Sequence, residues 1–434
     1  MSIQKHAISI VLINPPSLCV DDDRVEPPLG LLYIAAALLS KGYENTSLFD
    51  MTGCKTESEI AMKVRNSPDS HGYGIRCFCT NYQYVRRIIS KIQSTNPDAL
   101  TVLGGPNPTG IPQFTLEDSN TDIVITGEGE DSFVECIDRY CLSFIKSKGI
   151  IEGKTRLDLD AYPFPARHLL SIDSYSRRLM GYPVISLISS RGCKYKCIHC
   201  NSVVMGGGSK VRYRSTRNIM DEIESLRDKY QYFRFNDDHF TGNGNLHQLL
   251  TQIKSLNIIF RAFARIEDLA EKTCKLLKEA GCVHLTIGLE SMNRDNLKVL
   301  GKTTQLDSIR NIAIAKSCGL ILRASFMVGL PYDTESTVMQ YFQTASRLAI
   351  DEFAVYPLIP YPGSKIWSSP EKYGYEITDK DFTRYVQMGQ TRRSCYALKH
   401  KNFTSREVEK WKDTAESILE ASGIKHMQVS TVAT

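Results

Sequence analysis

No apolar run in this 434-residue chain approaches the ~20 residues that a membrane span requires, so a membrane protein is not expected. The amino terminus also lacks the charged-then-apolar plan of a secretory leader, and a cytoplasmic protein is the expectation. There is no dense basic block: a mild net charge of +5 is spread along the chain, which argues against a nucleic-acid partner. A charged fraction of 23% beside 42% hydrophobic is too apolar for a disordered chain and suits a folded protein of two or three domains. Cysteine, by contrast, is not scarce. The 13 present, an odd number dispersed mostly through apolar segments, read as reduced thiols and not as a secreted disulfide framework.

Three of those thiols stand together. Cys193, Cys197 and Cys200 have C-x3-C-x2-C spacing directly after the apolar run Val184-Ile185-Ser186-Leu187-Ile188. Thiolates are soft ligands suited to zinc or iron–sulfur clusters, so a tight loop of this kind can hold three corners of a metal site and leave the fourth open. A structural zinc loop, or three unrelated core cysteines, are the competing uses of the same residues.

Elsewhere short apolar runs alternate with helical stretches. Residues 7–14 form a continuous apolar run stopped by Asn14-Pro15-Pro16; further strands are expected at 47–50, 73–79, 99–103 and 122–125, with helices over 28–39, 82–92 and up to about 146. Such alternation predicts a doubly wound parallel sheet, whose ligand lies outside the carboxyl ends of the strands. Asn14, Gly104, Gly105, Gly127 and Glu128 fall in those turns. Residues 147–183, with the proline-punctuated Tyr162-Pro163-Phe164-Pro165, read as a linker. A second series has strands at 184–190, 232–238, 258–265, 284–291, 321–330 and 352–360, six βα units where a closed barrel has eight. Residues 366–434 are expected to hold a helix capped by Thr404-Ser405-Arg406-Glu407, stopped by Gly423 and packed on the barrel.

The cysteine loop at the end of a first barrel strand resembles the signature of the radical S-adenosylmethionine (SAM) enzymes, and Gly288-Leu289-Glu290-Ser291 resembles their G-x-E-S segment. The first third resembles the cobalamin-binding domain attached to many of them, through Asn14-Pro15-Pro16, Pro27-Pro28-Leu29-Gly30, Gly104-Gly105-Pro106 and Gly127-Glu128-Gly129-Glu130. The resemblance implies an α/β chain with a Rossmann-like cobalamin-binding domain over 1–146, a partial (β/α)6 barrel over 184–365 and a small C-terminal helical segment. It implies that Cys193, Cys197 and Cys200 hold a [4Fe-4S] cluster whose remaining iron is chelated by SAM. One electron, from a low-potential donor such as flavodoxin or ferredoxin, then cleaves SAM to a 5′-deoxyadenosyl radical.

The same resemblance distributes the remaining roles. Asp237 or Asp238 is the candidate for the SAM amino group, with a substrate contact as the alternative. Glu290, with Ser291, would meet the ribose hydroxyls. Arg323 is the candidate for the SAM carboxylate and Arg265 its competitor. His199 stands where relatives carry a large aromatic, and would stack near adenine or tune the cluster. His239 reads more readily as a structural hydrogen-bonder than as an acid or base. Cobalamin would rest on the turns at Asn14, Gly104, Gly105, Gly127 and Glu128. No D-x-H-x-x-G follows the first strand and Asn107 replaces a frequent histidine, so cobalamin is expected without a protein histidine ligand. The implied activity is methyl transfer to an unactivated carbon of a small-molecule or natural-product intermediate. The alternative is dehydration, rearrangement or ring formation beside an empty cobalamin-like domain. The stretch Tyr385 to Lys401, with Arg392, Arg393 and Cys395, is a candidate cover for the substrate.

Overall fold

Along the first strand, β1 (Ile10–Asn14), Ile10 and Leu12 face one way and Val11 and Ile13 the other, and both pairs are buried. A strand apolar on both sides must be covered on both sides. Here the helices Leu29–Ser40 and Glu130–Ser143 cover one face and the helix Tyr82–Thr95 the other. Our computed structural model describes residues 4–17, 22–205, 210–302, 305–385 and 397–427. Among these, β2 (Thr46–Asp50), β3 (Gly72–Arg76), β4 (Leu100–Gly104), β5 (Ile123–Thr126) and β6 (Gly149–Glu152) join β1 in a parallel sheet of order β2-β1-β3-β4-β5-β6. Chain order reverses beside β1, which makes the carboxyl edge between β1 and β3 the expected place for a ligand. The sheet reaches into the stretch expected to be a connector. Its edge strand β6 has only four residues, too few for a period to be read.

A second parallel sheet contains β7 (Ile185–Leu187), β8 (Tyr232–Phe235), β9 (Ile259–Ala264), β10 (Cys282–Glu290), β11 (Ile321–Val328), β12 (Glu352–Pro357) and β13 (Lys425–His426), each paired with the next. The six expected strands are present. The seventh adds two exposed residues to the edge, where no apolar pattern announces it. Phe233, Phe235, Phe260, Leu285 and Leu322 are buried in the core under the surrounding helices. Their neighbours Arg234, Arg261, His284 and Arg323 therefore share the inner face of the open barrel.

The two sheets are sewn together. Arg167, in the connector, donates from Nη2 to the Ser186 carbonyl at 2.7 Å and pairs with buried Glu222 at 2.9 Å. Tyr175 donates its hydroxyl to Asp50, at the end of β2, at 2.5 Å. The last helix, Ser405–Ala421, buries Val408, Trp411, Ala415 and Leu419 against the barrel core. Phe382, Tyr385 and Ala397 pack instead with Val11 and Ile13 of the first sheet and with Tyr82 of the helix that covers it. The last helix thus packs on the barrel as expected, and the segment before it reaches the first sheet as well. Arg392, Arg393 and Cys395 lie outside the described residues. No described helix is long and apolar enough to cross a membrane.

The cap of that last helix is reciprocal. Thr404 Oγ1 accepts from the Glu407 N–H at 3.3 Å, and the Glu407 carboxylate accepts from the Thr404 N–H at 2.7 Å. Thr404→Ala removes one half of this box, and urea unfolding should report a loss of about 1 kcal/mol.

Candidate functional site

The cysteine loop leaves the barrel after β7, at the carboxyl end of the strands. Its three thiols are reduced and half-exposed. Burial, with Asp238 and Cys197 adding their charge, pushes the thiols of Cys193 and Cys200 up from their ordinary range. A set of thiols that oppose each other's ionisation is one that a bound cation relieves, so the donor set fits a metal group. Among the described residues no three His, Cys, Asp or Glu side chains converge on a point suited to a single ion. In a multi-iron cluster each thiolate binds its own iron, so convergence of that kind is not required.

Around the thiols the expected residues divide. Arg265 lies at the cluster loop: its Nη1 is 3.8 Å from Cys197 Sγ, its guanidinium stacks 3.7 Å over the Tyr195 ring, and Glu267 pairs with it at 2.7 Å. Asp238 accepts from Ser202 Oγ at 3.0 Å, beside Cys200. Asp237 is turned away, accepting from the backbone N–H and hydroxyl of Ser189 and from the Ser190 hydroxyl at 2.5–3.1 Å; burial nonetheless raises its carboxyl above the usual range. It joins β7 to β8 and has little left to offer a ligand. Ser291 is buried and accepts from the Asn293 N–H at 3.0 Å, which shapes the turn after β10. Arg323 is the third residue of β11, so it sits well below the strand end, held to Glu352 at 2.6 Å. His239 bonds Asp268, as expected of a structural imidazole.

Glu290 ends β10 in the left-handed region, at φ +63°, an unfavourable backbone state for a residue with a Cβ. Lys302 Nζ lies 3.4 Å from its carboxylate. The absence of a side chain at Gly288 permits this fold-back, since a Cβ there would stand 2.2 Å from Glu290 Oε1 and 3.2 Å from Lys302 Nζ. His199 is close enough to Glu290 for the carboxylate to favour its protonation, but burial dominates and lowers its pKa. Its Nδ1 is buried without a hydrogen-bond partner. An orphaned ring nitrogen beside three thiols is a group waiting for a partner.

Between the sheets lies a cavity of about 380 Å³. On one side Gly104, Gly105, Gly127 and Glu128 line it; on the other Ser190, Arg191, Gly192 and Asp238 do. The wall is apolar, with Leu29, Ile75, Val102 and Phe133, and Gly30 opens onto it with no atom within 4 Å of an added Cβ. A broad apolar cradle floored by glycine fits a large flat cofactor. Gly105, at φ +115°, has no room for a Cβ, which would meet the Cys77 carbonyl at 2.8 Å. Asn14 does not reach the cavity. It bridges Asp50, at 2.9 Å, and Arg76, at 3.1 Å, and Arg76 lines the cavity in its place. Asn107 is fully buried, accepts from Cys79 Sγ at 3.1 Å, and does not line the cavity.

Glu128 has a second occupation. Its oxygens accept from Arg212 at 2.5 and 3.0 Å, and Arg191 lies 3.3 Å away. Arg191 also pairs with Glu130 at 2.7 Å and stacks on the rings of Tyr33 and Tyr162 at 5.0 and 4.8 Å. Burial works against the Arg191 charge, and the two glutamates overcome it and strengthen it. Arg191 stands two residues before Cys193. The Gly127-Glu128-Gly129-Glu130 turn of the first sheet therefore anchors the entry to the cysteine loop of the second.

Comparison with known proteins bears on both halves. Residues 187–345 match the family model of the radical SAM superfamily, and residues 21–137 match that of the B12 binding domain. A protein of Pyrococcus horikoshii named uncharacterized methyltransferase PH0819 is 29% identical over 429 residues, covering 93% of this chain and 90% of that protein. The cytidylyl-2-hydroxyethylphosphonate methyltransferase of Streptomyces wedmorensis is 25% identical over 74% of this chain and 73% of its own length. An anaerobic magnesium-protoporphyrin IX monomethyl ester cyclase of Rubrivivax gelatinosus is also 25% identical, over 83% and 68%. The fold is that of TsrM from Kitasatospora setae, a radical SAM methyltransferase solved with tryptophan and a SAM analogue, at TM-score 0.65, 18% identity and coverage of 85% and 77%. The cobalamin-dependent enzyme OxsB, solved with aqua-cobalamin and SAM, aligns at TM-score 0.65 and 16% identity, over 95% of this chain and 62% of OxsB.

Proposed function

Because the chain belongs to the radical SAM superfamily, in the subgroup with an amino-terminal B12-binding domain, we propose that it is a cobalamin-dependent methyltransferase acting on an unactivated carbon of a small molecule. The observation that carries this reading is the cavity, bounded by the glycine-rich edge of the first sheet and by the residues leading into the cysteine loop. When bound, the cluster with SAM supplies a hydrogen-abstracting radical and cobalamin a methyl group.

The chain's own residues position and shield. Cys193, Cys197 and Cys200 would hold three irons. Asp238, which faces the thiols where Asp237 does not, would receive the SAM amino group. Arg265, beside Cys197, is better placed for the carboxylate than Arg323. Glu290 would take the ribose hydroxyls, with Ser291 setting its turn and His199 offering a ring to adenine or a proton to a cluster sulfide. Gly104, Gly105 and Gly127 let backbone approach cobalamin, while Glu128 keeps Arg191 in place. The apolar wall excludes water, which protects a radical from quenching. A flavodoxin- or ferredoxin-like protein would deliver the electron to the half-exposed loop.

Glu290→Gln should weaken SAM binding by roughly 10–100-fold, the worth of hydrogen bonds to an ionised partner. Gly288→Ala should do the same by displacing the carboxylate, with melting temperature nearly unchanged if the strand end yields; equilibrium dialysis with labelled SAM measures both.

The reading as a whole is tested by anaerobic reconstitution with iron, sulfide, cobalamin, SAM and reductant, followed by separation of the nucleosides. Methyl transfer yields S-adenosylhomocysteine together with 5′-deoxyadenosine. 5′-Deoxyadenosine alone would transfer the chain to the ring-forming or rearranging alternative, and intact SAM would refute radical chemistry altogether.

A further inference from the structure

The inner face of the barrel carries more positive charge than its partners offset. Strand register sets Arg234 of β8 beside Arg261 of β9, and Arg323 of β11 beside Glu352 of β12. Arg177, from the connector, joins them. Glu26, just before the Pro27-Pro28 turn of the first sheet, serves two of the four: it pairs with Arg177 at 2.7 Å and with Arg234. Glu352 serves Arg323 at 2.6 Å and meets His284 at 3.3 Å. His284 is brought down to about 4 by burial and so carries no charge at neutral pH. Asp22 adds its charge beside Arg177.

Arg261 is left without a carboxylate in contact. Among the described residues its one side-chain hydrogen bond goes to the Thr286 hydroxyl, at 2.9 Å, and it is 5% exposed. Burial first, and then Arg234, Arg323 and Arg177, disfavour its charge, and the more distant Glu352 offsets them only in part. The Nε atom of Arg234 is buried without a hydrogen-bond partner, while that of Arg177 faces Glu26 at 2.7 Å. A buried guanidinium has five donors in a fixed fork and does not lose its proton, so it is retained where an anion completes it. The group adjoins the cavity: Asn236 lines that space and donates to Glu26 at 3.0 Å, its own Oδ1 unpartnered.

We infer that the barrel lumen behind Asn236 binds a phospho group of the substrate, a phosphate or phosphonate, with Arg261 as its central contact and Arg177, Arg234 and Arg323 around it. This deepens, and rests on, the reading of the protein as an enzyme acting on a small molecule. The unused donors suit a phospho group with three acceptor oxygens better than a carboxylate with two.

The test is thermal unfolding of the full, cluster-loaded chain, without SAM or reductant, in inorganic phosphate, methylphosphonate or acetate at one ionic strength. Phosphate and methylphosphonate should raise the melting temperature by several degrees at millimolar concentration; acetate should not. Arg261→Met should melt at or above wild type without phosphate, because an uncompensated buried charge is gone, and should lose the shift. Arg261→Lys, which keeps the charge but not the fork, should show a reduced shift and decides the matter if the methionine variant does not fold. An equal shift with acetate, a full phosphate shift in either variant, or no shift in wild type overturns the assignment. The assay involves no turnover. Phosphate binding at Arg261 without S-adenosylhomocysteine formation would sink the methyl-transfer reading alone, and the reverse result would sink this one alone.

Discussion

Cys197→Ala should abolish SAM cleavage and strip the reconstituted protein of its iron, with Cys193→Ala and Cys200→Ala doing the same. Loss of a neighbour that merely orients a metal ligand costs about 10–100-fold in affinity or activity, and loss of the ligand itself costs more. The fold should survive, because these thiols are half-exposed and the Cys197 thiol has one side-chain partner among the described residues, the Arg265 guanidinium at 3.8 Å. Far-ultraviolet circular dichroism should match wild type while iron content falls. A variant that retained iron and cleaved SAM would remove Cys197 from the cluster.

Glu128→Ala should be the most destabilising of the single changes considered, by about 3–5 kcal/mol, since it leaves Arg191 and Arg212 buried with one carboxylate fewer. Arg212 is 4% exposed and has little access to water in compensation. Arg191 keeps Glu130, so the entry to the cysteine loop loosens without losing its anchor entirely. Denaturant unfolding should show the loss, and SAM cleavage should fall with it even at temperatures where the variant is folded. Glu128→Gln, which keeps hydrogen bonding but not charge, should fall between. A loss below about 1 kcal/mol would class this junction with ordinary surface ion pairs.

Much of this was legible in the residues. The C-x3-C-x2-C loop, the glycine turns after β4 and β5, and the capped final helix rest on local spacing, and local spacing survives into the fold. What escaped was non-local. Arg191 and Glu130 are 61 residues apart, Arg212 and Glu128 are 84 apart, and Asn236 and Glu26 are 210 apart. An ion pair between two sheets leaves no period in either. Asp237 and Asp238 were inseparable because the strand ends at Phe235, and beyond it alternation no longer tells which side chain turns inward. Arg323 illustrates a different gap: a strand can be recognised from its apolar residues while the height of a given residue along the barrel depends on register with its neighbours. The excess of arginine inside the barrel follows from that register and was invisible before it.

The central claim is that the space between the sheets is a cobalamin site facing the cysteine loop. The most direct measurement is anaerobic optical titration of the full chain with hydroxocobalamin, beside Gly30→Phe, whose ring would fill that space from a helix position with no atom within 4 Å of the new Cβ. One equivalent bound by wild type and none by a folded Gly30→Phe is the predicted result. No binding by wild type, or equal binding by both, would contradict it.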